Sequence, residues 1–171
     1  NNYVAEGIAA MSDEKIGLLI SRIYPRYPSP PPASIARREY FFAINHGLGD
    51  SVIDFGAGAT QAPTVGAGMW VRRGAFLKAV PWQTPEMLLR DRTGDRLTLG
   101  GDIEFGILLG QAGCKRVYWP RLIIRHIIPF SRLRARYFCR LIIGGCRSEL
   151  DLHFKYFGKK LGFSYWLRSL A

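Results

Sequence analysis

Three kinds of side chain in this sequence stand at spacings that can do chemistry. The first is an acid behind two glycines, in Leu99-Gly100-Gly101-Asp102-Ile103-Glu104-Phe105. A carboxylate at a helix start keeps its charge, because the N-terminal backbone dipoles favour it. The glycines let a substrate come close, and a carboxylate so placed can take the proton of a hydroxyl. Glu104 lies about 200° further round the same helix, so the two acids cannot face one site. Asp102 is the candidate base; an acid that only complements a helix start has the same look. The second is His126. Alternation puts Leu122, Ile124 and His126 on one strand face, so the imidazole arrives inward at a strand end. There it can ligate a metal or meet a phosphate, or sit as a hydrogen-bonded core histidine. The third is Arg132, Arg136 and Arg140, spaced by four and so placed on one helix face. Guanidinium forks suit a diphosphate, and a solvated basic face is the plainer reading.

The elements around them follow from pattern. Residues 3–12 carry Tyr3, Val4, Ile8 and Met11 at helical spacing, with Gly7 as a blemish. Ile16 to Ile23 reads as a buried strand. Pro25, Pro28 and Pro30 to Pro32 predict irregular, extended chain. Residues 33–44 are expected to form a helix, and Gly47 to Gly58 a loop. Val65 to Val71 reads as a strand whose glycines permit close approach, followed by a helix from Arg73 to Val80. Residues 83–98 are expected to be loop around a short helix. Asp102 to Ala112 is the helix carrying the acid, with Phe105, Leu108, Leu109 and Ala112 on one side and Gly113 as its stop. Arg116–Trp119 and Leu122–His126 read as two short strands split by Pro120 and Arg121. Ser131 is the expected cap of a helix running to about Ile143, ended by Gly144-Gly145. The last twenty residues read as basic, aromatic helix.

Composition bounds the classes. The 171 residues are 48% hydrophobic and 22% charged, the profile of a globular domain. No apolar run approaches the length of about 18 residues that suggests a spanning helix. No basic-led apolar leader opens the sequence. It starts at Asn1-Asn2-Tyr3-Val4 without Met and is expected to be part of a longer chain. Cys114, Cys139 and Cys146 have neither zinc nor disulfide-framework spacing. The net charge is +11, and no acid occurs from Phe105 to Ser148, where Lys115, Arg116, Arg121, Arg125, Arg132, Arg134, Arg136, Arg140 and Arg147 all fall. Such a field attracts phosphates on nucleotides, nucleic acid or lipid headgroups. Gly66-Ala67-Gly68 is not a dinucleotide fingerprint, since its third glycine would fall at Val71.

GAGMWVRRGAFLKAV, followed by GGDIEFGILLGQAGCKRVYWPRLIIRHIIPFSRLRARYFCR, resembles the second half of a family 2 glycosyltransferase of the GT-A fold. The shared order is a glycine-rich strand with paired arginines (Gly66 to Arg73), an acid opening a helix (Gly101-Asp102), an A-G-x-x-x-x-Y-x-P turn (Ala112 to Pro120) and a strand ending in His126. It covers about residues 60–145. Gly101 stands where the family usually has Glu. The resemblance implies the C-terminal part of an α/β, Rossmann-like domain, with a mixed sheet flanked by helices. The expected division is residues 1–148 as the acceptor and base half, and 149–171 as a basic helical tail.

The resemblance also implies an inverting transfer of sugar from a nucleotide-sugar donor to a hydroxyl on a polysaccharide or lipid-linked acceptor. Asp102 would be the general base. Gly66, Gly68, Met69, Trp70, Gly101, Arg132 and Arg136 would be substrate contacts, and His126 a metal-side residue. The family's divalent metal, Mg or Mn, is held by an Asp-x-Asp that would precede Asn1, together with the nucleotide-binding half, so this chain alone is expected to be inactive. A cytoplasmic protein with peripheral contact at the inner membrane face is expected, without nucleic acid as partner. Phe154 to Arg168 mixes aromatics and cations as interfacial helices do, although a core-packing helix would too. The rival reading is a non-enzymatic basic module that binds phosphates on nucleic acid or an anionic membrane. It accounts for the charge but not for the ordered glycine, acid and histidine spacing.

Overall fold

The computed structural model describes residues 2–58, 62–80, 97 and 99–158. The helices are α1 (Tyr3–Ala10), α2 (Ala33–Ala36), α3 (Arg73–Ala79), α4 (Gly101–Gln111) and α5 (Ala135–Phe157). The strands are β1 (Ile16–Arg26), β2 (Ile53–Asp54), β3 (Met69–Val71) and β4 (Lys115–Ile127). They form one four-stranded mixed sheet in the order β2-β4-β1-β3. The fold is therefore α/β, with helices on a mixed sheet, compatible with a Rossmann-like domain. β1 and β4 are parallel, and the short edge strands β2 and β3 run antiparallel to them. Parallel neighbours need a crossover, and α3 and α4 lie within it.

Burial explains the sheet. Leu18, Leu19 and Ile20 of β1 are wholly buried, because the central strand is covered on both faces. Leu18 and Ile20 pack with Ala75, Ala79, Phe105 and Leu109 of α3 and α4, while Leu19 faces Ala10, Val117 and Leu122. Each such side chain contributes about 1.5–3 kcal/mol. A third cluster holds Ile23, Phe42, Ile128, Phe138 and Leu141 under the first turns of α5.

The structure departs from the expected pattern at several places. β1 does not stop before Pro25; the pairing continues through Pro25↔His126 and Arg26↔Ile127. The N–H of Ile23 points away from β4, to Asn45 Oδ1 at 2.7 Å. Pro25, two residues on, faces that same edge, so its missing N–H removes no bond to β4. The two strands expected around Pro120 are one. β4 bulges there, its partners stepping from Ser21↔Trp119 to Arg22↔Ile123. Residues 33–44 are not one helix. α2 is four residues long, and a separate 3₁₀ turn spans Glu39–Phe42, which lays Phe41 and Phe42 against Phe138. Only Met69–Val71 of the expected glycine-rich strand is extended, and the expected loop from Gly47 contains β2.

The largest departure is in α5. Gly144-Gly145 does not end it; the helix runs unbroken to Phe157. A Cβ on Gly144 would run into the Leu97 carbonyl oxygen, and one on Gly145 would lie 2.8 Å from Phe41. The pair is a notch that lets the segment leading to Asp102 cross the helix closely. The division expected at residues 148 and 149 thus falls inside α5, whose Ser148 and Leu152 are buried. The region 81–96 and most of the aromatic tail, from 159, lie outside the described residues.

Candidate active site

A cavity of about 730 Å³ opens beside the carboxyl end of β4, lined among others by Gly66, Asp102, His126, Arg132, Tyr137 and Glu149. In α/β sheets that end of the strands is where ligands are received. Four of the expected site residues (Asp102, Gly66, His126 and Arg132) meet there.

Asp102 stands where local geometry puts it. Gly100 has φ +96°, the left-handed region that glycine enters without strain, and α4 starts at the next residue. The Gly66 N–H donates to Asp102 Oδ2 at 2.7 Å, and the Ile103 N–H to Oδ1 at 2.9 Å. These bonds fix the carboxylate between the Gly66 loop and the helix start while it borders the cavity. Glu104 turns the other way, as the helical angle requires. It is fully buried and accepts bonds from Lys155 Nζ at 2.9 Å and Tyr156 Oη at 2.7 Å, both on α5.

His126 is half-buried, and its Nδ1 lies 2.9 Å from the Phe42 carbonyl oxygen. A carbonyl only accepts, so Nδ1 carries the hydrogen. Burial pushes the His126 pKa down, the bond to Phe42 opposes this, and the nearby Arg132 adds to the lowering. The ring is therefore neutral at pH 7, with a lone pair on Nε2. A carbonyl partner of this kind also orients metal-bound imidazoles. The described residues nonetheless contain no group of three or more His, Cys, Asp or Glu arranged to hold a metal ion. His126 offers one ligand, and a complete metal site is not formed by these residues.

The arginine stripe is broken. Arg132 belongs to a 3₁₀ turn (Phe130–Leu133), Arg134 is extended, and α5 begins only at Ala135. Ser131 therefore caps nothing. Buried Leu133 anchors the turn in the core, so Arg132 reaches the cavity whereas Arg136 is exposed elsewhere on α5.

The other expected contacts do not line the cavity among the described residues. Gly68 carries φ +76°, and its carbonyl accepts from Ser21 Oγ and Tyr3 Oη. Met69 packs into the sheet core, and Trp70 lies over Gly7 and against Tyr3, where its ring leaves no room for a Cβ on Gly7. These are packing roles, and Gly7 is the seat of a tryptophan rather than a blemish. Gly101 opens α4. The basic field shrinks as well. Arg116 is fully buried on the carbonyls of Phe55, Gly56 and Gly106. Lys115 pairs with Asp54 at 3.0 Å, and Arg121 with Glu6 at 2.9 Å.

Neither a known protein family, nor a curated protein, nor a solved structure matches this chain.

Tyr137, Ser148 and Glu149 border the cavity although their types and spacing did not single them out. Only the continuation of α5 past Gly145 brings the last two there, and the glycine pair hid it. The available signal was the absence of proline from Leu133 onward. No helix of the described residues is long and apolar enough to cross a membrane. The three cysteines are free thiols.

Proposed function

We propose that this chain forms the acceptor side of an inverting glycosyltransferase of the family 2, GT-A type, with Asp102 as general base. The supporting observation is that Asp102, held by the Gly66 N–H at 2.7 Å, borders the same cavity as His126 and Arg132. In the proposed reaction the Asp102 carboxylate takes the proton of the acceptor hydroxyl. The acceptor oxygen attacks the anomeric carbon from the face opposite the nucleoside diphosphate. The bond from that carbon to the diphosphate breaks, its electron pair leaving on the diphosphate oxygen, and the configuration inverts.

Neutral His126 Nε2 serves as a hydrogen-bond acceptor for substrate in this scheme. The donor's nucleotide, and any Mg or Mn on its diphosphate, would be held by residues other than those described, because His126 alone does not make a metal site. Peripheral membrane contact is part of the same proposal. Ile127 and Phe130 are 64% and 62% exposed and stand among exposed Arg125 and Arg134, a mixture suited to an anionic interface.

The test is sugar transfer by the full-length protein from a panel of nucleotide sugars, with the product's anomeric configuration read by NMR. Inverted product supports the reading. Retained configuration contradicts the inverting assignment, and no transfer alongside salt-sensitive submicromolar RNA binding favours the basic phosphate-binding module instead.

A further inference from the structure

We infer that the outer edge of β4, from Ile123 to Ile127, receives an extended peptide of another protein as a fifth, antiparallel strand, with an acidic residue opposite Arg125 and an apolar residue opposite each isoleucine. This edge lies apart from the cavity beside Asp102, and the inference does not depend on the transferase reading. The register decides which amides are free. The Ile128 N–H donates to the Arg26 carbonyl at 3.0 Å. Alternation along the strand therefore turns the backbones of Ile124 and His126 toward β1 and those of Ile123, Arg125 and Ile127 away from it. On that outer side β2 pairs only with Val117 and Tyr118. Among the described residues, no backbone bond reaches the amides of Ile123, Arg125 and Ile127. The far edge of β1 is treated differently. There the Asn45 side chain accepts from the Ile23 N–H at 2.7 Å and donates to the Ser21 carbonyl at 2.9 Å. The fold fills one edge of this pair and leaves the other open, and an open edge is a template for strand addition.

The side chains beside that edge state what the strand must carry. Residues directly opposed across two strands share a sheet face. The partner's side chains would thus stand beside Ile123, which is 50% exposed, exposed Arg125, and Ile127. Apolar residues cover the two isoleucines, and a carboxylate meets the guanidinium. The partner begins beside Ile127, at a hollow of about 360 Å³ walled by Tyr27, Pro28, Pro129 and Phe130, which suits an aromatic side chain. A second copy of this chain fits badly. Antiparallel pairing centred on Arg125 sets two like charges face to face, and chains of net charge +11 repel each other. An edge arginine also guards against indiscriminate pairing; here it rejects basic strands and admits an acidic one.

The experiment follows backbone amide exchange by NMR in the whole chain, with the capped peptide Ser-Phe-Thr-Glu-Thr-Val-Ser as probe. Binding is expected to slow exchange at Ile123, Arg125 and Ile127 while leaving Ile124 and His126, already bonded to β1, as they were. The Lys-for-Glu peptide should bind about fivefold more weakly, and Arg125→Glu, a change at an exposed position, should reverse that order. N-methylation of the peptide's Glu and Val removes donors that face β4 and should weaken binding about tenfold, whereas N-methylation of its two Thr, whose amides face outward, should be tolerated. Equal effects of the two methylation patterns overturn the inference. So does protection of the three amides by self-association of the chain, or by anionic vesicles but not by the peptide.

Discussion

His126 and Phe42 are 84 positions apart in the chain, yet Nδ1 of one lies 2.9 Å from the carbonyl oxygen of the other. This bond ties the carboxyl end of β4 to the 3₁₀ turn Glu39–Phe42, and both border the cavity. Its consequence is a pH dependence with a definite sign.

Burial lowers the His126 pKa from its ordinary 6.5. On acidification the unfolded chain takes up the proton first, so stability rises with pH in this window. The contribution is full above the ordinary histidine value and is lost as pH falls below it toward the folded value. His126→Asn keeps a donor for Phe42 but does not titrate. Thermal melts between pH 7.5 and 5 (roughly one unit above and somewhat more below the ordinary histidine value) should therefore show wild type losing more stability than His126→Asn. Parallel curves would contradict the assignment.

Glu104 joins α4 to the far half of α5 through Lys155 and Tyr156. Glu104→Ala removes the buried carboxylate that accepts from both Lys155 and Tyr156. It should cost about 3 kcal/mol in urea unfolding, and Tyr156→Phe about 1 kcal/mol. Burial, followed by the bond to Glu104, raises the Tyr156 pKa, so its phenol stays protonated and donating well into the alkaline range. A Glu104→Ala chain as stable as wild type would show that α5 docks without this contact.

Two helical glycines separate close packing from mere propensity. At Gly74 of α3 an added methyl would find nothing within 4 Å, so Gly74→Ala should stabilise by about 0.5–1 kcal/mol. At Gly144 the same methyl meets the Leu97 carbonyl. Gly144→Ala should destabilise by about 1 kcal/mol or more despite the better propensity. Equal, stabilising effects at the two sites would mean that α5 does not cross the Leu97 segment closely.

What the sequence disclosed was the local part of this arrangement. Leu18 to Ile20 form an apolar run that only a central strand buries, and Phe105, Leu108 and Leu109 repeat at helical spacing behind a glycine pair. The acid at the start of α4 and the inward His126 followed from the same short-range patterns. The rest depended on contacts distant in the chain. Pro25 stays in β1 because of which edge its nitrogen faces, and Arg116 is buried because carbonyls from Phe55 and Gly106 converge on it. Gly144 is tolerated within α5 because Leu97 crosses there. Spacing by four put Arg132 on a helix that begins only after it, since buried Leu133 pulls that turn into the core.

The most direct test is Asp102→Asn in the full-length protein, following sugar transfer and donor binding together. Asparagine keeps an oxygen to accept from Gly66 and gives up only the bond from Ile103, so the fold and nucleotide-sugar affinity should be largely kept. It cannot take a proton at neutral pH, so transfer should fall by about 10²–10⁴-fold. Unimpaired transfer by the Asp102→Asn chain would contradict the central claim.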